Sequence, residues 1–271
     1  MPVAANPHVG AVLPLSVTAL ERWDRCRRQY LLRDLLAVAP PVATAPASGE
    51  GGATTADPTF GLAVHRLLES VHREGACGDV TRTQDLARVV EPSVAPQLAT
   101  LAARHADRCP GTAADWSAHE YGAARFNRRP DPLFMLTGRI DALWAHGGVL
   151  AAHDYKTGTP RVQRLGDLLA ARVQAWLLAP LAAERGLRIR IVFEHLDTSV
   201  HDQPDPYEPE DEDLAAIGDE LRAIASAIRD ETRFTGSGDP ADCRWCAYRA
   251  VCRDAPPTGR ATGDTHEVMA M

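Results

Sequence analysis

The fold is decided by residues 133–157, which read LFMLTGRIDALW, AHGG and VLAAHDYKT in succession. The first and third pieces are short apolar runs, and the glycine-containing piece between them is typical of a turn. This pattern predicts two strands joined as a hairpin. Side chains alternate between the two faces of a strand, so we expect Asp154 and Lys156 to point the same way. Asp141, on the first strand, can reach that face.

The charged side chains of this hairpin have the composition of a divalent-metal site. Mg²⁺ takes oxygen ligands and is commonly held by one or two carboxylates together with waters and substrate phosphate. Asp141 and Asp154 meet that need, and Lys156 would place a positive charge beside a phosphate. Gly138 would let another part of the chain pass close to the strand. The alternative interpretation is a solvated hairpin in which Asp154 and Lys156 form a surface ion pair.

Two predicted helices place further polar groups beside apolar surface. Residues 60–72 carry apolar side chains at helical spacing, with His65, Glu69 and His72 along one flank of that stripe. Residues 167–179 form a second, largely apolar helix that contains Gln174. A buried glutamine amide needs hydrogen-bond partners, which a metal-bound water or a phosphate would supply. Taken alone, His65 is more often a residue at the boundary of a core, and Gln174 a residue of a helix surface.

The cysteines are distributed unevenly along the chain. Cys26 stands alone near the start, whereas Cys243, Cys246 and Cys252 form a C-x2-C-x5-C group near the end. The sequence shows no apolar signal segment and no membrane span, so we expect a cytoplasmic protein with reduced thiols and no membrane partner. Four thiolates suit either a [4Fe–4S] cluster or tetrahedral Zn²⁺, and the spacing alone does not choose between them.

Composition indicates one globular α/β unit, because 45% of the 271 residues are hydrophobic. The formal net charge of −7 does not favour nucleic acid, but the arginines are clustered around the first cysteine, before the hairpin and among the last cysteines. Such clusters bind phosphates or are simply solvated. The candidate DNA contacts are Arg25, Arg28, Arg128 and Arg129.

The remaining sequence predicts a helix over 15–38 with Ser16 as its N-cap, and one or two helices over 81–109, interrupted at Pro92 and Pro96. It also predicts a strand over 187–196 and a long amphipathic helix over 214–228. Residues 39–58 are expected to form a flexible connection, and residues 255–271 a disordered tail. Residues 1–254 would then form a single domain. No role is assigned to Cys77 or Cys109.

Taken in order, these motifs resemble the PD-(D/E)xK nucleases, specifically the RecB-like branch with an iron–sulfur cluster. The resemblance spans roughly residues 14 to 254. Its elements are Cys26 in an arginine-rich helix, Gly61-x3-His65-x2-Leu68-Glu69, Gly138-x2-Asp141, Asp154-Tyr155-Lys156-Thr157-Gly158, Gln174, and Cys243-x2-Cys246-x-Tyr248-x3-Cys252-Arg253.

The resemblance implies a restriction-endonuclease-like α/β core, a mixed central sheet flanked by helices, with N- and C-terminal helical segments joined by the cluster. It implies an active site that binds Mg²⁺ or Mn²⁺ through His65, Asp141, Asp154 and the Tyr155 carbonyl, with Lys156 as catalytic lysine and Gln174 as the motif glutamine. The cluster, [4Fe–4S] with structural Zn²⁺ as the alternative, would be held by Cys26, Cys243, Cys246 and Cys252.

The implied function is that of a metal-dependent DNA exonuclease, acting on single-stranded or free ends in DNA repair or recombination, with a helicase as a candidate partner. Two alternatives remain open from the sequence. One is a nuclease of the CRISPR-adaptation type, whose motifs are almost the same. The other is a non-catalytic DNA-binding module in which the cluster has only a structural role.

Overall fold

The structure is a computed structural model that describes residues 12–41, 58–109, 114–127, 129, 132–158, 160, 163–244 and 246–256. Most of the predicted flexible connection (39–58) and of the predicted tail (255–271) therefore lies outside the described residues, as does Arg128. Within these ranges, no helix has both the length and the apolar character needed to cross a membrane.

Strands and helices alternate irregularly along the described chain. The strands are β1 (Leu13–Ser16), β2 (Trp116–Asn127), β3 (Phe134–His146), β4 (Val149–Lys156) and β5 (Arg188–His195). The α-helices are α1 (Val17–Arg25), α2 (Arg27–Tyr30), α3 (Pro58–Arg73), α4 (Val80–Val90), α5 (Ala95–Ala106), α6 (Leu169–Arg185), α7 (Asp211–Asp230) and α8 (Pro240–Arg244). Short π or 3₁₀ turns occupy Leu31–Leu35, Pro92–Val94, Leu165–Asp167, Val200–Asp202 and Arg249–Val251.

The five strands form one mixed sheet built around β3. β2 runs antiparallel to β3 along almost its whole length and occupies one edge. Two strands share the other edge: β1 pairs in parallel with residues 134–137, and β4 pairs antiparallel with residues 142–146. β5 then continues the sheet parallel to β4. The predicted hairpin and the predicted mixed sheet are confirmed.

Helices cover both faces of the sheet, as predicted. α3, α4 and α5 pack on one face, in a core that includes Ala142, Trp144 and Tyr155. α6 packs on the opposite face against Ile140 and Leu143, and α1 and α7 extend that layer over β1 and the start of β3. The sheet therefore lies between two helical layers.

The regular pleat of β3 is interrupted at Asp141. Ile140 and Ala142 pack on opposite faces, although strict alternation would put residues two apart on the same face. In the neighbouring strand, Glu120 has a φ of +50°, a left-handed conformation that non-glycine residues seldom adopt. The β2–β3 register passes from the pair His119 and Ala142 to the pair Tyr121 and Ile140, without pairing Glu120 and Asp141. Both acidic residues thus lie at a distortion of the ladder.

The N-terminal segment corrects one prediction. The helix expected over 15–38 begins only at Val17, because Leu13 and Leu15 are buried in alternation along a short strand beside β3. Ser16 is the N-cap, as predicted, and its Oγ accepts a hydrogen bond from the Ala19 N–H at 3.1 Å. The helix is also broken at Cys26, whose backbone is extended with φ −159° and ψ 104°.

Two further details differ from the sequence predictions. Strand β2 is not evident in the sequence, because most of its side chains are half-buried and its apolar alternation is weak. Pro92 opens a 3₁₀ turn between α4 and α5, but Pro96 lies in the first turn of α5 and does not interrupt it. A proline is tolerated there because the first helical N–H groups have no partner within the helix.

Gly138 provides the close approach expected from the sequence. A Cβ at this position would lie 2.7 Å from Leu177 Cδ2 and 3.1 Å from Val17 Cγ2. The absence of a side chain therefore lets α6 and α1 pack directly on β3. This contact helps to set the depth at which α6, which carries Gln174, lies on the sheet.

We expect Gly138→Ala to lower the free energy of unfolding by about 1–3 kcal/mol, because overpacking a well-filled site forces neighbouring groups to shift. Gly122→Ala is the matched control, since Gly122 lies in the adjacent strand β2 and a Cβ there would have no atom within 4 Å. Urea unfolding followed by circular dichroism measures both. Equal unfolding midpoints for the two variants would contradict the close packing at Gly138.

Candidate metal-dependent active site

The end of β4 carries a buried acidic side chain with two partners. Asp154 is 9% exposed, and its Oδ1 accepts a hydrogen bond from Gln174 Nε2 at 3.1 Å. Its Oδ2 contacts Lys156 Nζ. Three of the residues singled out in the sequence are thus brought together. Gln174 is buried in α6 and bonded to the site, rather than exposed on a helix surface.

Asp141 joins β3 to both β4 and α3. Its Oδ2 accepts a hydrogen bond from the backbone N–H of Tyr155 at 2.7 Å. Its Oδ1 lies 3.2 Å from His65 Nδ1. Burial disfavours the charged form of His65, but the hydrogen bond and the negative charge of Asp141 outweigh it and raise the pKa of His65. His65 therefore faces the carboxylates, as the resemblance implied.

Glu120 of β2 completes a compact group that the sequence does not reveal. One ligand atom from each of His65, Glu120 and Asp141 lies within 4.8 Å of the others. Burial raises the pKa of Glu120, and the negative charge of Asp141 raises it further. Carboxylates held this close repel each other, and a divalent cation between them would remove the repulsion.

A fourth carboxylate, Glu21 of α1, approaches the site from the other helical layer. Burial raises the pKa of Glu21, while the charge of Lys156 opposes the rise and that of Asp154 adds to it. Glu21 thus interacts electrostatically with both ends of the Asp154–Lys156 pair. The sequence does not predict that Glu21 lies near the site, because it is an isolated glutamate in a helix rich in arginine.

Lys156 is held as a cation. Burial lowers the pKa of Lys156, but the negative charges of Asp154, Glu21 and Asp141 outweigh it and raise the pKa above the ordinary value. The ammonium group also lies 4.9 Å from the centroid of the Phe193 ring. A permanently charged ammonium group is suited to stabilising negative charge on a phosphate and not to accepting a proton. Lys156 is also the only lysine in the sequence.

The four cysteines of the predicted cluster line one pocket: Cys26, Cys243, Cys246 and Cys252. Their sulfur atoms do not belong to any group of ligand atoms within 4.8 Å of one another in the described part of the chain. A tetrahedral zinc ion, with Zn–S bonds of about 2.3 Å, would draw four sulfurs to within about 3.8 Å of each other. As placed, the four sulfur atoms are not close enough together to share one zinc ion.

The first and last described segments are held together around this pocket. Tyr248 is buried, and its hydroxyl donates a hydrogen bond to the Val38 carbonyl at 2.7 Å. Arg28 Nε lies 3.3 Å from Asp254 Oδ2, and the same oxygen accepts a hydrogen bond from the Gly236 N–H at 2.8 Å. The contacts of Val38 with Tyr248 and of Arg28 with Asp254 join segments that are more than half the chain apart in sequence.

The candidate DNA-contacting arginines differ in their surroundings. The Arg28 side chain is 14% exposed and paired with Asp254, so its position does not support a contact with DNA. The Arg129 side chain is 71% exposed and lies 3.8 Å from Asp219. Arg25 is exposed at the end of α1. For Arg25 and Arg129, DNA contact stays a prediction.

We expect Glu120→Gln to weaken Mn²⁺ binding about ten-fold to a hundred-fold, because it removes one negative oxygen ligand from the compact group. Glu69→Gln is the matched control, since Glu69 lies one turn after His65 on α3 and pairs with Arg73 instead. Isothermal titration calorimetry with Mn²⁺ gives both affinities. Unchanged binding in Glu120→Gln would exclude Glu120 as a ligand.

Comparisons with known proteins give one family and two similar solved structures. A family model described as "PD-(D/E)XK nuclease superfamily" matches residues 14–253 of this chain. Among solved structures, the crystal structure of SSO0001 has 16% identity and a TM-score of 0.41, covering 93% of this chain and 91% of that chain. A "Putative exonuclease" from Eubacterium rectale has 12% identity and a TM-score of 0.43, covering 79% of each chain. The curated proteins gave no match. Because the superfamily match covers most of the sequence, the chain belongs to the PD-(D/E)XK nuclease superfamily.

Proposed function

We propose that this protein is a metal-dependent DNA nuclease of the RecB-like type, which cleaves phosphodiester bonds from single-stranded or free ends. The observation that carries the proposal is the convergence of Asp154 and Lys156 on one side of β4 with Asp141 and His65. A solvated surface hairpin would not explain why Asp154 is 9% exposed and bonded to the buried amide of Gln174. A module that only binds DNA has no need of this set.

The donor set fits Mg²⁺ or Mn²⁺. The proposed ligands are Asp141, Asp154, Glu120, His65 and the Tyr155 carbonyl, which are mainly the hard oxygen atoms that these ions prefer. The imidazole makes Mn²⁺ an acceptable alternative, because manganese binds nitrogen ligands more readily than magnesium does. When bound, the ion would polarise the phosphate and lower the pKa of a coordinated water.

The protein's own groups have separate tasks in this proposal. Lys156 holds a fixed positive charge where negative charge develops on the scissile phosphate. Gln174 orients Asp154 through its hydrogen bond at 3.1 Å. The negative charge of Glu21 helps to keep the ammonium group of Lys156 charged. Because these groups are already in place, little reorganisation is needed when the substrate binds.

The four-cysteine pocket is proposed to hold a [4Fe–4S] cluster. What supports iron over zinc is the resemblance, because one distant and three clustered cysteines match the RecB-like iron–sulfur pattern. The cluster would crosslink the two ends of the domain 1–254 beside the contacts of Tyr248 and Arg28. Its proposed role is structural.

The protein would act in DNA repair or recombination, with a helicase as partner.

We expect Asp154→Ala and Lys156→Ala to reduce cleavage by about 10²- to 10³-fold or more, because each removes a preorganised electrostatic group. DNA binding and thermal stability should be retained. Lys156→Arg is the informative third variant. It keeps the charge but replaces a compact ammonium with a larger planar group, so we expect it to restore little activity.

Cleavage is measured on end-labelled single- and double-stranded DNA, with Mg²⁺ or Mn²⁺, using protein purified anaerobically. Each variant is prepared in parallel with the unmodified chain and with a mock purification, to exclude host nuclease. Near-normal rates in Asp154→Ala or Lys156→Ala would refute the assignment of the site.

For the cluster, we expect Cys26→Ala to lose iron and sulfide and to melt at a lower temperature. A crosslink between residues 26 and 243 stabilises the folded chain by about 5 kcal/mol in the chain-entropy model, because it restricts the unfolded state. Cys77→Ala is the control and should keep its iron, since Cys77 lies outside the pocket. Zinc held by sulfur ligands alone, without iron, would overturn the cluster type, and an unchanged melting temperature would overturn the crosslink.

A further inference from the structure

Two histidines and two cysteines meet at a second place, between α3, α5 and the sheet. His72 is near the end of α3, and Cys77 lies in the turn that follows. His105 is near the end of α5, and Cys109 lies just beyond it. One ligand atom from each of these four residues lies within 4.8 Å of the other three. No role in the proposed nuclease reaction accounts for this group.

The donor atoms are close enough together to share a metal ion, although the two nitrogens are closer to each other than a bound ion would hold them. The Nε2 atoms of His72 and His105 are 2.8 Å apart, and Cys109 Sγ is 3.8 Å from His72 Nε2. A tetrahedral Zn²⁺ has Zn–N bonds of about 2.0 Å and Zn–S bonds of about 2.3 Å, which place its donor atoms about 3.3 to 3.8 Å apart. Two imidazole nitrogens and two sulfurs therefore face a common point at nearly the right spacing.

The surroundings of His105 are those of a metal-bound histidine. His105 is fully buried, and its other ring nitrogen, Nδ1, lies 3.1 Å from both carboxylate oxygens of Glu194. Glu194 is only 2% exposed and also lies 3.4 Å from Arg108 Nη1. A carboxylate that accepts a hydrogen bond from Nδ1–H leaves Nε2 free to bind a metal, and this arrangement recurs in zinc sites.

His72 is held by ring packing. Its ring stacks on that of His119 with the centroids 4.4 Å apart. Its Nδ1 is buried and has no hydrogen-bond partner among the described residues. The stacking fixes the ring plane and directs Nε2 toward His105. His119 itself lies outside the group of four.

We infer that His72, Cys77, His105 and Cys109 bind one Zn²⁺ ion at a structural site separate from the active site. Two thiolates and two imidazoles are a ligand set that zinc prefers, and four protein ligands leave no position open for water or substrate. The site would connect the turn after α3 to the end of α5 and, through Glu194, to β5. The inference does not rest on nuclease activity.

The proposed zinc site lies close to the catalytic group. His72 follows His65 by two helical turns on the same flank of α3. The ring of Tyr155 packs near both, with centroids 6.2 Å from His65 and 6.1 Å from His72. A zinc ion would therefore fix the part of α3 from which His65 reaches Asp141.

The first test is metal analysis of the full chain, expressed without a polyhistidine tag and purified without chelators. We expect one zinc per chain, and X-ray absorption at the zinc edge should show two sulfur ligands at about 2.3 Å and two nitrogen ligands at about 2.0 Å. Zinc in the four-cysteine pocket would show sulfur ligands alone, and zinc in the active site would show none. A chain without zinc of mixed ligation would overturn the inference.

The second test uses variants and a matched control. His105→Gln and Cys109→Ser should lose the zinc, whereas His146→Gln, which changes an exposed histidine of β3 outside the group of four, should keep it. If the first two variants do not fold, Co²⁺ reconstitution of the unmodified chain replaces them, and X-ray absorption at the cobalt edge should show two sulfur and two nitrogen ligands. Retention of zinc in both ligand variants, no cobalt of this mixed ligation, or a Cys77–Cys109 disulfide in freshly purified protein would each refute the site.

Discussion

The geometry of the proposed active site depends on a change of partner along one edge of β3, from β1 at Thr137 to β4 at Ala142. Between these residues, the main chain of β3 has no strand partner on that edge among the described residues. The carboxylate of Asp141 accepts the Tyr155 N–H instead, and so takes over the role of a main-chain acceptor where the ladder ends. This one hydrogen bond ties Asp141 to the strand that carries Asp154 and Lys156.

The elements with strong periodicity are the ones that could be predicted from the sequence. The β3–β4 hairpin, β5 and α7 have clear apolar patterns, so their positions follow from local information. β1 is only four residues long and is stabilised by parallel pairing with β3, a distant segment. Glu21 and Glu120 each stand alone in sequence, and only the folded sheet brings them to the site. Likewise, Cys77 and Cys109 acquire a common environment only when α3 and α5 pack together.

The two proposed ion sites beside α3 differ in the chemistry of their ligands. The ring of Tyr155 lies between them. Hard oxygen atoms dominate the group around Asp141, whereas sulfur and nitrogen atoms form the group around His105. Tyr155 packs between them, and burial raises its pKa well above the ordinary value, so the ring stays neutral. Ligand type selects the ion at each place, since thiolates favour zinc and carboxylates favour magnesium or manganese. The tyrosine ring separates the ligands of one site from those of the other.

The single lysine has a practical consequence for anyone who wishes to attach a probe. The Lys156 side chain is 41% exposed, so amine-reactive dyes, crosslinkers and sensor surfaces would react at the proposed catalytic centre or at the terminal amine. Thiol chemistry offers no safer position, because each of the six cysteines belongs either to the four-cysteine pocket or to the group around His105. A label that leaves the molecule intact therefore requires a reactive residue introduced elsewhere, for example at an exposed position of α7.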